Sequence, residues 1–372
     1  MLYKSLAKPA LFKMDAEKAH HLTIDGLAKT PRIPGALPLM RKLYGSPAAS
    51  ELHTDLWGIP FANPIGLAAG LDKNGQAVSG FSSIGFGFME VGTVTPRPQA
   101  GNEKPRLFRL PDDLALVNRM GFNNVGADEM AANLRQASPY AIPVAVNIGK
   151  NKTTPNEQAA DDYRACMRKL YPYGDFFVVN ISSPNTPDLR ALQHGDDLKH
   201  LLAAVLEERD EQRRIASSGR EHSLAAPKPV LVKFAPDVTG EDLEYMVETA
   251  MASGISGIIA TNTTVARDGL RHPNAKETGG LSGRPLTGRS TEVIRTIARL
   301  TKGQLPIVGC GGIFTAEDAY AKIRAGASLV EVYTALIYEG PELVRRLNLG
   351  LLELLRRDGF RTVSEAVGAD VR

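Results

Sequence analysis

From residue 60 onward, short and almost unbroken apolar runs alternate with longer stretches whose apolar positions recur every three or four residues. Eight such runs can be read: NPIGLAAG (63–70), FMEVGTV (88–94), PVAVNIG (143–149), DFFVVNIS (175–182), PVLVKFA (229–235), GIIATN (257–262), PIVGCGG (306–312) and SLVEVYT (328–334). Runs without polar alternation suit parallel strands covered on both faces. Amphipathic helical patterns fill most of the gaps, at 161–171, 196–214, 240–254 and 315–326. Asp161, Asp196 and Thr315 are the expected N-caps, and Gly254 and Gly326 the expected stops. Eight βα units predict an α/β protein, a TIM (β/α)8 barrel with insertions, for which a doubly wound sheet is the alternative.

The long insertions, 95–124, 183–195 and 263–289, all follow the carboxyl ends of strands, the face on which barrels carry their active sites. Within the first, RPQAGNEKPR (97–106) reads as an exposed loop. The charged run EERDEQRR (207–214) reads as a solvated helix face.

Ahead of the barrel, 3–14 and 15–30 read as two short helices, the second capped by Asp15. PRIPGALP (31–38) then breaks the pattern as a linker. Leu2, Leu6, Leu11, Phe12, Leu22 and Leu27 with scattered lysines suit either a lid lying on a membrane surface or a helical cap packed on the barrel. Residues 1–45 therefore form one expected unit and 46–372 the barrel unit.

Composition narrows the setting. At 372 residues, 43% of them hydrophobic, the chain can bury a large core. Its two cysteines, Cys166 and Cys310, are too few and too far apart for a disulfide framework or a zinc site, which fits a reducing compartment, and the seven histidines form no ligand cluster. No metal is expected. With no run of 18 apolar residues and no cleavable leader pattern, neither a spanning nor a secreted protein is expected. The net charge of +3 is uneven, since residues 1–45 carry eight Lys/Arg against three acids.

The chemistry gathers at the strand ends. GCGGI (309–313) and Tyr333-Thr334 each lead into a helix, where backbone N–H groups in a barrel commonly hold a phosphate. Ordinary turn glycines are the plainer alternative. Cys310 reads as a small packing residue. Lys73 and Lys233 suit a flavin, a phosphate or a substrate carboxylate, or else a core carboxylate. Asn118, Asn123, Asn147, Asn180, Asn185 and Asn262 offer both donors and acceptors, as a planar ring with alternating C=O and N–H groups requires. In NISSPNTPDLR (180–190) a serine stands at a strand mouth with no neighbouring base to activate it as a nucleophile.

AAGLDKNG (68–75), PRLFRLPDDLALVNRMGFNN (105–124), NISSPNTPDLR, VKFAPD (232–237), TNTT (261–264), GGLSGRPL (279–286) and GCGGI together resemble dihydroorotate dehydrogenase. The basic N-terminal helices and the serine in the 180s loop resemble its class 2, quinone-dependent branch. The resemblance runs almost end to end. It implies a TIM barrel with a small N-terminal helical extension that holds FMN, oxidises dihydroorotate to orotate in pyrimidine biosynthesis, and passes electrons to ubiquinone or menaquinone.

By motif, it implies that Ser183 takes the C5 proton while C6 yields hydride to the flavin, with Thr186 as a proton relay. Lys73, Asn118, Arg119, Met120, Gly121, Phe122, Asn180, Asn185, Asn262 and Thr263 are implied for the substrate. Ala69, Gly70, Thr93, Asn147, Asn180, Lys233, Thr261, Gly283, Gly312, Tyr333 and Thr334 are implied for FMN, and His20, Arg109 and Tyr333 for the quinone. The family also implies a monomer on the cytoplasmic side of the cell membrane, attached peripherally through the N-terminal helices, with no nucleic-acid partner. A class 1 enzyme would place cysteine as the base and lack the N-terminal helices. A hydroxy-acid oxidase would lack the asparagine set, and a non-enzymatic scaffold would bind no flavin.

Overall fold

The computed structural model describes residues 3–218 and 226–371. Leu2, expected on the apolar face of the first helix, lies outside the described residues, as do the extreme ends of the two expected units. Eight parallel strands close in chain order: Ile65–Leu67, Phe88–Val94, Val144–Ile148, Phe176–Asn180, Val230–Phe234, Gly257–Ala260, Ile307–Cys310 and Ala327–Val332. The last pairs with the first, Val330 opposite Ile65, so the sheet is a barrel and not doubly wound. Each strand lies on one of the eight apolar runs.

The helices Ala159–Leu170, Gly195–Ser217, Gly240–Ser253 and Ala316–Arg324 occupy the predicted amphipathic stretches. Thr315 and Asp318 form a reciprocal capping box, and Gly254 ends its helix in the left-handed region at φ 76°. Two expected caps fall inside their helices: Asp161 and Asp196 lie in first turns whose N-cap positions are Gln158 and His194. There their carboxylates favour the helix through its dipole and not through a cap. Gly326 stands one residue beyond the C-cap Ala325.

Period-two alternation divides the barrel interior into a dry half and a polar half. Phe88, Ala145, Phe176, Val178, Leu231, Ile259, Val308 and Leu329 form a buried cluster. Two residues further along the same strands come Glu90, Asn147, Asn180, Lys233, Thr261, Cys310 and Glu331. The dry half is closed by an antiparallel hairpin, Thr54–Leu56 with Ile59–Phe61, that the sequence reading did not anticipate. Its Phe61 ring meets Phe88 and Phe176 edge-on at centroid distances of 5.6 and 6.3 Å.

Over the polar half, two insertions combine into a three-stranded antiparallel sheet of Leu107–Leu110, Ala115–Asn118 and Gly280–Gly283. The loop 97–106 is largely exposed, except that Arg106 is buried. In the charged run 207–214, Glu208 is likewise buried, 2.7 Å from Arg168.

The N-terminal segment forms a π turn, Tyr3–Ala7, then the helices Lys8–Lys13 and Ala16–Lys29. Asp15 Oδ1 accepts from the N–H groups of Glu17 and Lys18, as expected of the cap. The expected linker 31–38 is shorter than predicted, because a third helix, Ala36–Tyr44, begins within it. Pro38 sits in that helix's first turn, where its missing N–H is tolerated, and Gly35 leads in at φ 79°. The apolar face divides: Leu11, Phe12 and Leu27 pack inward, while Leu6 and Leu22 are exposed.

Candidate active site

The polar half of the barrel opens into a cavity roofed by the antiparallel sheet and by the loop after Phe176–Asn180. Of the predicted residues, Ala69, Gly70, Lys73, Thr93, Asn118, Met120, Gly121, Phe122, Asn180, Ser183, Asn185, Lys233, Thr261, Asn262, Thr263, Gly283, Gly312, Tyr333, Thr334 and His20 line it. Seven of the eight strands bring side chains to its floor because the inward alternation carries past the dry cluster.

A hydrogen-bonded chain crosses that floor. Asn180 Nδ2 donates to Thr93 Oγ1 at 2.8 Å, Thr93 Oγ1 donates to Asn147 Oδ1, and Asn147 Nδ2 donates to Glu90 Oε1 at 2.6 Å. Asn147 is thus a fully buried support beneath the cavity and does not line it. Glu90 Oε2 accepts from Lys233 Nζ at 2.7 Å and from the Ala69 N–H at 2.9 Å. Burial opposes the Lys233 charge, but Glu90 and then Glu331, at 3.5 Å, hold its pKa well above the ordinary lysine range. Burial, reinforced by the Glu90 charge, pushes the Glu331 carboxyl up. Two buried carboxylates beside one ammonium cannot both ionise without cost. The sequence reading missed both acids, although each is a lone charge within an apolar strand run, FMEVGTV and SLVEVYT, a position seldom filled without a partner.

Lys73 differs from Lys233 in having no carboxylate within salt-bridge distance among the described residues; its Nζ donates to Asn123 Oδ1 at 2.8 Å. Burial, and then the charge of Arg106, lowers its pKa to about 7. An anion in the cavity would restore its charge. The Cys310 thiol is pushed by burial up to about 12, as befits packing and not nucleophilic use.

The asparagines face one another. Asn185 Nδ2 donates to Asn118 Oδ1 at 3.1 Å, and Asn262 Nδ2 donates to Ser182 Oγ at 2.9 Å and Asn180 Oδ1 at 3.3 Å. Ser183, buried, accepts the Asn185 N–H on Oγ at 3.3 Å. Arg190, also missed in the sequence, braces this loop by donating to the carbonyls of Ser182 at 3.0 Å and Thr263 at 3.1 Å. Arg119 is turned away from the cavity: it pairs with Glu277 at 2.7 Å and stacks on Phe108. Thr186 lies outside the cavity lining, and its Oγ1 is buried without a hydrogen-bond partner.

At the far end, Gly283, Gly311 and Gly312 have φ of 102°, 119° and 72°. A Cβ on Gly312 would stand 2.3 Å from Thr287 Oγ1, and one on Gly283 would stand 2.4 Å from the Leu114 carbonyl oxygen. Only glycine backbone fits there, which leaves N–H groups accessible to a close-lying group. Thr261 Oγ1 is buried on the floor with no partner. An orphaned hydroxyl, a glycine cradle and a buried lysine fit a large cofactor carrying polar ring edges and a phosphate.

A second, apolar cavity lies between the N-terminal helices and the barrel, lined among others by Tyr3, Leu11, Phe12, Ile24, Met40, Phe81 and Ile337. His20, Leu107, Leu116 and Tyr333 line both cavities, so the two meet there. Arg109 borders the second, donating to the carbonyls of Met14 at 2.8 Å and Leu11 at 3.2 Å and stacking on Phe12. Burial drives the His20 pKa down to about 3, so its imidazole is neutral at pH 7.

The family model described as dihydroorotate dehydrogenase matches residues 51–355. The chain is 57% identical over 369 residues to a dihydroorotate dehydrogenase (quinone) of Deinococcus deserti, covering 99% of this chain and 100% of that protein. It is 56% identical to its namesake in Deinococcus radiodurans, covering 97% and 98%. The crystal structure of a DHODH from Eimeria tenella in complex with ferulenol superposes with a TM-score of 0.87 at 40% identity, covering 96% of each chain.

Proposed function

The chain belongs to the dihydroorotate dehydrogenase family and oxidises dihydroorotate to orotate with a quinone as final acceptor, in pyrimidine biosynthesis, and we propose that it does so through the residues of the polar cavity. The family is flavin-dependent, and FMN is the proposed cofactor. The phosphate would rest on the N–H groups around Gly283, Gly312, Tyr333 and Thr334. The ring would lie against Ala69, Gly70, Thr93, Asn180, Lys233 and Thr261, with Asn147 supporting it from below. When bound, FMN supplies the hydride acceptor for dihydroorotate and relays the electrons to the quinone.

The observation that carries this reading is one cavity in which Ser183 stands among Asn118, Asn180, Asn185 and Asn262. The four amides match the alternating C=O and N–H edges of a dihydropyrimidine, and Thr263 completes the set. Lys73 takes the substrate carboxylate, whose charge offsets the desolvation that lowers the lysine's pKa. Met120, Gly121 and Phe122 wall the ring, and Arg119, by anchoring the Glu277 turn, holds that wall from outside. Ser183 Oγ accepts the C5 proton. Its own hydrogen passes toward the unpartnered Thr186 hydroxyl through water.

The apolar cavity suits the ring and tail of ubiquinone or menaquinone, entering past Arg109 toward His20 and Tyr333. No described helix is long and apolar enough to cross a membrane. Among the described residues, six of the ten exposed large hydrophobic ones, Leu6, Met14, Leu22, Ile33, Leu39 and Leu43, lie within 1–45 beside its lysines. That combination supports a peripheral seat on the cytoplasmic face of the cell membrane. Residues 1–45 are accordingly the quinone-access segment and 46–372 the FMN barrel; a monomeric working unit is proposed on the family resemblance alone. A visible spectrum of the purified protein, followed by anaerobic dihydroorotate and then ubiquinone, menaquinone, fumarate or NAD in turn, tests the reading. A colourless protein, or flavin reoxidised as fast by fumarate or NAD, would overturn it.

A further inference from the structure

Glu17 belongs to the helix Ala16–Lys29, within the segment assigned to quinone access, yet its carboxylate points toward the substrate side of the molecule. It is only 4% exposed. Its Oε1 lies 2.7 Å from Arg106 Nη2, and its Oε2 accepts from Arg106 Nε at 3.1 Å, a two-pronged contact. Lys104 Nζ at 3.4 Å and His21 Nε2 at 3.6 Å complete its polar surroundings. Arg106 is equally buried, and its remaining arm, Nη1, donates to the carbonyls of Ala100 at 2.6 Å and Asn102 at 2.7 Å. The guanidinium therefore ties the loop 97–106 to itself and to the N-terminal helix at once.

Asn102 carries the connection onward. Its Nδ2 donates to the Asn185 carbonyl at 3.1 Å and to the Arg119 carbonyl at 3.0 Å, while Oδ1 accepts from Lys152 Nζ at 3.0 Å. Asn185 is the residue whose N–H reaches Ser183 Oγ and whose side chain reaches Asn118. Glu17, Arg106, Asn102 and Asn185 thus form an unbroken series of hydrogen bonds from the N-terminal helix to the loop presenting Ser183.

A buried ion pair is a poor way to fasten a helix to a barrel, since apolar residues of the same volume hold as well or better. What the bidentate pair adds is fixed direction. Arg106 also acts at a distance on Lys73, lowering its pKa, and Glu17 opposes that effect. Both consequences fall on the substrate cavity; at His20, where the two cavities meet, the Glu17 charge is only the smallest of four influences.

We propose that Glu17 is a positioning residue for the dihydroorotate half-reaction, setting the Asn185–Ser183 backbone through Arg106 and Asn102. The proposal rests on the reading of Ser183 as the base. The N-terminal segment then serves both halves of the catalytic cycle, Glu17 acting on the carbon-acid side alone while the residues lining the apolar cavity serve the quinone.

The test uses full-length, flavin-loaded protein carrying Glu17→Gln, Asn102→Ala or both. Two rates are read: anaerobic flavin bleaching by dihydroorotate, and reoxidation of dithionite-reduced enzyme by a short-chain ubiquinone. Each single variant should slow bleaching about tenfold, the double no more than the worse single, with reoxidation unchanged. Rescue of the bleaching rate by Glu17→Asp would separate charge from bulk. Unaltered bleaching, additive losses, or an equal loss in reoxidation would each overturn the proposal. Should Glu17→Gln fold poorly by thermal unfolding, Asn102→Ala leaves the ion pair intact and decides alone. Near-normal bleaching of a Ser183→Ala variant would refute the Ser183 reading itself, a separate outcome.

Discussion

Asn185 donates its backbone N–H to Ser183 Oγ at 3.3 Å, so one lone pair of the hydroxyl is engaged by the loop that carries it. A donor aimed at an oxygen favours negative charge there, which suits a group that must release its own hydrogen while taking one from carbon. Ser183→Ala should retain flavin and slow reduction by dihydroorotate roughly 10²- to 10⁴-fold, the range for a lost general base. Anaerobic bleaching at a near-normal rate would remove Ser183 from the role.

Lys73 sets a pH dependence. In the cavity without an anion its pKa is about 7, and a bound carboxylate raises it. Below about 7 the lysine is already charged, so orotate affinity is fully present. Above it, binding must recruit a proton, and affinity falls by up to about tenfold per pH unit until the raised bound-state value is reached. Titration of orotate between about pH 6 and 9 checks this, with calorimetry in two buffers to count the proton. Lys73→Met should bind weakly and without the slope; a flat profile for the unsubstituted protein would contradict the assignment.

Gly312 sits at φ 72° with no room for a Cβ, which would meet Thr287 Oγ1 at 2.3 Å and the Thr287 N at 2.4 Å. Gly312→Ala should displace the loop from the first turn of the helix Thr287–Leu300, destabilise the fold by about 1–3 kcal/mol and empty the flavin site. Thermal unfolding and the ratio of flavin to protein absorbance measure both effects. Full flavin content in a stable variant would show that the cradle is not where the phosphate binds.

Leu39 and Leu43, more than half exposed on the helix Ala36–Tyr44, line neither cavity and would meet the proposed lipid surface. Leu39→Glu with Leu43→Glu should abolish co-sedimentation with anionic vesicles while leaving flavin reduction by dihydroorotate unchanged. Retained binding to vesicles would place the membrane contact elsewhere.

Arg109 holds the carbonyls of Leu11 and Met14 beside the apolar cavity. Arg109→Leu should raise the KM for ubiquinone about tenfold, the cost of roughly one charged hydrogen bond, with bleaching by dihydroorotate unaffected. Steady-state kinetics with varied quinone, set beside single-turnover bleaching, separates the two.

The sequence by itself determined the eight strands, four of the helices between them and the end of the barrel that carries chemistry. Each depends on neighbours close in the chain: unbroken apolar runs, a period near 3.6, Thr315 before Asp318, glycine after a helix. Asn180 and Asn262, the serine loop after the fourth strand and the glycines after the seventh were legible for the same reason, since each ends or follows a run, whereas the role of Ser183 came from the family resemblance. The proline-marked linker misled because Pro38 is as much at home in a helix's first turn as in a break. Tertiary structure alone decided which polar groups meet. Glu17 and Arg106 are 89 residues apart, and Lys233 and Glu90 are 143 apart. No local pattern encodes a partner at that separation; closing the barrel supplies Glu90 to Lys233 by stacking every second residue of different strands into one layer, and docking of the helix Ala16–Lys29 against the loop 97–106 supplies Arg106 to Glu17. The division of the N-terminal apolar face, Leu11 and Leu27 inward and Leu6 and Leu22 outward, was settled in the same way by the surface those helices found to cover.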